Sequence, residues 1–485
     1  MIRSPVLAVA ALGLVACGNT PPTTHAPTDP GGPTTSKKSD SATREKVGIT
    51  VYNQNFGLVR EVRSVDLAKG RVALEFGDVS ALIQPETVAL KALDDPNALS
   101  VLEQNYRYDL LTPEKLLEKY VGKQVKVLRW NEKLGQDEEK DATVLSVEGG
   151  TTLQIGSEIT AGFPGRITFP GVPDNLIAKP TLVWLLASTV EKQRIEATYL
   201  TQGLNWHADY VLVVDKDDTV GDLHGWVTLA NDTGTTFKSA ELKLVAGDVQ
   251  RLNPNVITLQ EVTVAPPEEP APPPFQEEGL FEYHLYTLDH PTDLLDKEQK
   301  QVTLLDAVGV GVTKKLIFSG FDGYYHAPYN GMVSSNQKVS VFLDFENSEK
   351  NHMGMPLPKG TVRVYKADGS GARQFIGEDA IDHTPRDEKI RVKMGEAFDV
   401  VADRKQTDWT AIDECSSESA YEIEIRNHKD NAEKVEIDEP VSGDWEILNS
   451  SHESKRKDAH MFVFDVDVPA KGKTTVTYRV RVRWC

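Results

Sequence analysis

From Val47 to the C-terminus, hydrophobic and polar positions alternate with a period of two. In the last stretch Val476, Tyr478, Val480, Val482 and Trp484 fall on one face, and Thr475, Thr477, Arg479, Arg481 and Arg483 on the other. One apolar and one solvated face marks a half-buried antiparallel strand. Phe462, Phe464, Val466 and Val468 repeat the pattern, with Pro469-Ala470-Lys471-Gly472 as the intervening turn, and Tyr421, Ile423 and Ile425 alternate with Glu422, Glu424 and Arg426. Strands of this kind recur with turn signals roughly every ten residues, which predicts an all-β chain of antiparallel sandwiches.

One short helix interrupts the pattern. Thr112 suits the N-cap, Pro113 the first helical position and Gly122 the position after the end, while Leu116, Leu117, Tyr120 and Val121 form an apolar stripe. Short strands follow at 124–130, 142–147, 151–155 and 158–160. A capped helix leading into such strands predicts a small SH3-like or Sm-like barrel over about residues 107–170, inserted in a larger β-domain. Helix should stay under about a tenth of the mature chain.

The first residues read differently. Arg3 precedes an apolar run, Val6 to Val15, that has the length of a signal-peptide core and is too short to span a bilayer. It ends Leu14-Val15-Ala16-Cys17, which resembles the bacterial lipobox, where the cysteine becomes the lipidated first residue of the mature protein. This implies a signal peptide over 1–16, lipidation of Cys17, and an exported lipoprotein held on a membrane of the bacterial envelope, on the periplasmic or surface face of the outer membrane. Residues 18–46 are rich in Pro, Thr, Ser and Gly and carry no aliphatic or aromatic residue beyond alanine. They bury too little surface to offset the entropy of ordering, so 17–46 is expected to be a disordered tether. The remainder divides into 47–198 with the small barrel, 199–320 with a Pro-rich loop at 265–274, and a C-terminal sandwich over 321–485.

Charge and cysteine content narrow the function classes. Lys and Arg number 53 against 73 Asp and Glu, a formal charge of −20 over 485 residues. A nucleic-acid partner needs a basic face, so that class is excluded. Three cysteines cannot build a disulfide-dense domain or a four-cysteine zinc site. In an oxidising compartment Cys415 and Cys485 are positioned either to pair or to remain two separate thiols, and the sequence leaves both open.

The usual catalytic signatures are missing: no H-E-x-x-H, G-x-S-x-G, phosphate-binding loop or C-x-x-C occurs, and no cofactor is implied. Asp215-Lys216-Asp217-Asp218 with Asp222 superficially suggests a calcium loop, but Thr219 and Val220 stand where an oxygen ligand and a glycine belong. Glu378, Asp382 and His383 place two carboxylates near an imidazole, a combination suited to a base and its orienter. Tyr324, Tyr325, His326 and Tyr329 form an aromatic loop whose rings, beside Asp322 and Asn330, suit stacking on sugars; the competing reading is a plug over the end of a sandwich. Trp206 and Tyr210 share one face of a strand and are expected in an inter-sheet core, and Trp226, in phase with Thr228 and Ala230, is expected as a further core anchor.

Several longer motifs point to a family. They are Tyr199-Leu200-Thr201-Gln202-Gly203-Leu204-Asn205-Trp206-His207-Ala208-Asp209-Tyr210, Gly225-Trp226-Val227-Thr228-Leu229-Ala230-Asn231-Asp232-Thr233-Gly234 and Leu242-Lys243-Leu244-Val245-Ala246-Gly247-Asp248-Val249. Leu357 to Tyr365, Phe375 to Asp379 and Gly395 to Val400 continue the match. Together they resemble the bacterial domain of unknown function 4139 family, which includes mucoidy-inhibitor-like proteins. The resemblance implies β-rich, envelope-associated proteins and brings no activity and no catalytic residues. Two readings follow. The leading one is a non-enzymatic envelope lipoprotein, a β-sandwich scaffold that binds an envelope protein or a polysaccharide. The alternative is an envelope hydrolase using Glu378, Asp382 and His383.

Overall fold

The computed structural model describes residues 34–173, 176–250, 275–329 and 331–485. The described residues are 66% strand and 5% helical, with one α-helix among them, Pro113–Lys119. Thr112 caps that helix as its sequence requires: the hydroxyl accepts the Lys115 N–H at 3.2 Å. Cys17, expected from the sequence to be lipidated, and the Pro-rich stretch 265–274 lie outside the described residues. Among those described, no helix is long and apolar enough to cross a membrane.

The described residues form two compact units, one within Met1–Val47 and Arg60–Tyr199, the other within Gly48–Val59 and Leu200–Cys485. In the first, Thr35–Ser39 is a strand that pairs in parallel with Val72–Phe76. The expected tether therefore cannot extend to residue 46. Its polar composition argued against a core, but an edge strand needs only backbone hydrogen bonds. A side-chain clamp follows the strand: Asp78 accepts from the Ser41 amide at 3.2 Å and the Ser41 hydroxyl at 2.6 Å, and pairs with Lys179 at 2.6 Å. Burial alone would raise the Asp78 pKa, but the Lys179 and Ser41 bonds overcome it and hold the carboxyl at about 2. Deeper in this unit Glu61 accepts from Arg63, Arg44 and the Tyr199 hydroxyl, and the Arg63 guanidinium lies 3.6 Å from the centre of the Phe76 ring.

The small module has its own core of Tyr120, Val125, Val127, Ala142, Val144 and Leu153, covered by Leu116 and Leu117 of the helix. Its sheet runs Glu158–Ala161, Thr152–Ile155, Gln136–Ser146, Gln124–Asn131, Arg166–Thr168. It is not the closed barrel the sequence suggested. The two edge strands are four and three residues long, and among the described residues no ladder joins them.

In the second unit the segments 199–320 and 321–485 are not separate bodies. The 22-residue strand Glu298–Ser319 pairs with Val220–Asn231 along its first part, and along its last part with Gly331–Glu346 and Glu433–Pro440. The boundary expected at residue 320 is thus the end of a strand that both halves share. In the C-terminal half, Val435, Ile437, Phe462, Phe464, Val466 and Val468 meet Val400, Ala402, Tyr421, Ile423, Val476, Tyr478 and Val480 in one buried cluster. Within it lies a buried ion pair, with Arg404 donating to Glu439 at 2.6 and 3.0 Å. Cys415 and Cys485 are disulfide-bonded with Cα atoms 5.4 Å apart, which ties the C-terminus to the turn before Ser416–Asn427.

Candidate functional site

The strand Leu204–Val214 sorts its side chains by parity. Leu204, Trp206, Ala208, Tyr210 and Leu212 turn inward and are buried. Trp206 meets Tyr286 edge to face at 6.5 Å; Tyr210 donates its hydroxyl to the Pro358 carbonyl at 2.8 Å, and Tyr286 to that of Pro356 at 3.0 Å. The alternate residues His207, Asp209, Val211 and Val213 therefore form the outward face.

Neighbouring strands extend that face in register. Asp209 stands opposite Trp226 on one side and Thr361 on the other. The next row holds Glu378, Arg363, Val211, His224 and Asp306, and the one after it Phe375, Tyr365, Val213 and Asp222. Asp209 is the hub. It accepts from Arg363 Nη1 at 2.8 Å and from the Thr228 hydroxyl at 3.1 Å, and lies 3.1 Å from His207 Nε2. Arg363 reaches on to Glu378 at 3.1 Å, Gln301 donates to Thr228 at 3.2 Å, and His224 pairs with Asp306 at 2.7 Å. The Asp209 carboxylate raises the Arg363 pKa, so the guanidinium stays charged. Trp226 is 38% exposed at the centre of this face and Phe375 is 54% exposed at its edge. Trp226 is thus not the core anchor its size suggested. On its strand Val227 and Leu229 are the inward residues.

Of the residues marked in the sequence, Glu378 belongs to this net, bound to Arg363. Asp382 and His383 do not join it. They follow the end of the strand Arg373–Ile381. The His383 backbone N–H donates to Asp382 at 2.8 Å, and His383 Nδ1 accepts the Lys359 N–H at 3.2 Å. His383 Nε2 is buried without a partner among the described residues. Burial, with Lys359 nearby, pushes the imidazole pKa down and keeps the ring neutral. Among the described residues neither ring nitrogen meets a carboxylate, so a base–orienter pair is not assembled there.

The aromatic loop takes the plug arrangement. Tyr325 is fully buried; its hydroxyl donates to Glu439 at 2.8 Å and lies 3.2 Å from that of Tyr478. Its ring is a core ring and cannot stack on a ligand. The physical reason is the ion pair beneath, because a buried carboxylate needs every lone pair satisfied. Tyr324 packs edge-on against Phe321 and Tyr329, His326 lies 3.3 Å from Asp322, and the Tyr329 N–H donates to Gln406. The Asp215–Asp222 turn is likewise internally occupied: Asp215 accepts from the Thr219 and Val220 amides, and Asp218 pairs with Lys314 and Lys366. Among the described residues no three His, Cys, Asp or Glu side chains are placed to hold a metal.

The fold and this face define an all-β, multi-sheet protein with a solvent-facing polar and aromatic sheet surface. Residues 195–485 match the family model described as a domain of unknown function, DUF4139, and the chain belongs to that family. No curated protein matches the chain. The match spans every residue of the outward face. Sequence reading missed Asp209, Arg363 and Trp226 as a group because they meet only through strand pairing. The available signal was the set of polar residues alternating with the buried ones inside the family motifs.

Proposed function

We propose that this is a lipid-anchored protein of the bacterial cell envelope that binds a partner rather than catalysing a reaction, with the outward sheet face as its binding surface. The observation that carries the binding reading is that face itself. Its charged groups are tied into a hydrogen-bonded net beside an exposed tryptophan, and among the described residues of that face no nucleophile is activated by a base. The hydrolase alternative loses support because Glu378 is held by Arg363, away from His383. The anchor rests on Leu14-Val15-Ala16-Cys17, since acyl chains on that cysteine would hold the protein stably on a bilayer.

Cys17→Ala tests the anchor. Fractionation should find the variant released from membranes, or accumulated as the uncleaved precursor, with no incorporation of a labelled fatty acid. A variant still acylated and still sedimenting with membranes would remove the lipoprotein reading.

A further inference from the structure

We infer that the outward face takes an uncharged polysaccharide strand, an inference that rests on the reading of that face as the binding surface. Charge comes first. In its rows Asp209, Asp222, Asp306 and Glu378 stand against the single guanidinium of Arg363. Four carboxylates against one fixed cation repel polyanions, so nucleic acids, polyuronates and phosphorylated polymers are disfavoured.

The rings come second. Trp226 stands level with Thr361, and Tyr365 lies four residues further along that parallel strand, with Phe375 beside it at 5.6 Å. Strand geometry puts Tyr365 about 13 Å along and about 10 Å across from Trp226, a separation of roughly 16 Å. Two aromatic platforms at that spacing suit an extended chain of rings. Thr361, Asp209, Arg363 and Glu378 lie between them and offer both donors and acceptors. A pyranose presents a C–H face to an aromatic ring and hydroxyls around its rim that donate and accept alike. An apolar peptide or a lipid tail laid across the same surface would desolvate the Asp209–Arg363–Glu378 net and give nothing in exchange.

The test uses the full-length protein in detergent and three probes: an N-acetylglucosamine hexamer and laminarin, both uncharged, and the polyuronate alginate. At least one uncharged probe should bind about ten-fold or more tighter than alginate. Trp226→Ala and Phe375→Ala should each weaken that binding by roughly ten-fold, the effect of losing a central aromatic anchor, at an unchanged melting temperature. Phe281→Ala removes a ring that is 88% exposed outside this face and should change nothing. Alginate binding as tight as the uncharged probes, no binding of either uncharged probe, or indifference to Trp226→Ala would each overturn the inference. The two failures are separable. If no glycan binds but Trp226→Ala sheds envelope proteins that copurify with the wild type, the glycan inference is lost and the binding surface stands. If the variant alters neither, both are lost.

Discussion

Glu439→Ala is expected to cost about 3–5 kcal/mol and to destabilise the second unit, because it strands a buried guanidinium. Arg404 and Glu439 are both essentially inaccessible. The carboxylate is surrounded by donors: two nitrogens of Arg404 and the Tyr325 hydroxyl. The Arg404 guanidinium also lies 5.2 Å from the ring centres of Phe318 and Tyr324. Gly320 closes the site from one side, where any Cβ would run into the Glu439 carboxylate. With the acid removed, Arg404 keeps its charge and has nothing in the core to neutralise it. Tyr325→Phe takes away one hydrogen bond to a charged group and should cost about 1.5–3 kcal/mol. Urea unfolding should order the variants wild type, Tyr325→Phe, Glu439→Ala. An Ala variant within about 0.5 kcal/mol of wild type would show that the ion pair does not organise this core.

Trp206→Ala is the second large effect, at about 3–5 kcal/mol, for a different reason: it leaves a cavity between sheets. The indole is 2% exposed and packs on Tyr286, whose hydroxyl holds the Pro356 carbonyl. Its Nε1 has no partner among the described residues. Trp206→Phe keeps much of the ring volume and removes that unsatisfied donor, so it should cost far less than the alanine variant. Equal costs for the two would mean that the indole nitrogen is bonded and that packing is not the main term. Both losses are a large fraction of the stability of an ordinary domain.

These two clusters show what the sequence made legible. Trp206 was readable because Trp206, Ala208 and Tyr210 hold one parity on a strand whose other parity is His207 and Asp209. The last strand was readable in the same way, with Val476, Tyr478, Val480 and Val482 all buried. Trp226 misled because its parity partners, Thr228 and Ala230, are small enough for either face, and a large ring suggests a core. Only the pairing with Asp209 and Thr303 decides it. Tyr325 misled because the carboxylate that draws it inward lies 114 residues away, on the strand Glu433–Pro440. The Asp209–Arg363 contact spans 154 residues, and no local pattern announces it. Thr35–Ser39 was hidden by composition, since backbone pairing leaves no apolar signature.

Side-chain oxidative footprinting tests the central claim most directly, because it reads the protected surface whatever the ligand is. The protein is oxidised briefly in intact envelopes and, separately, after purification in detergent, and the modification of each aromatic residue is compared. If the outward sheet face is the binding surface, Trp226, Tyr365 and Phe375 are protected in the envelope relative to the purified protein, while Phe281 and Tyr329 react equally in both. Protection of Tyr324, Tyr329 and His383, with Trp226 reacting equally in the two states, would contradict the account and return function to the loop and the histidine turn.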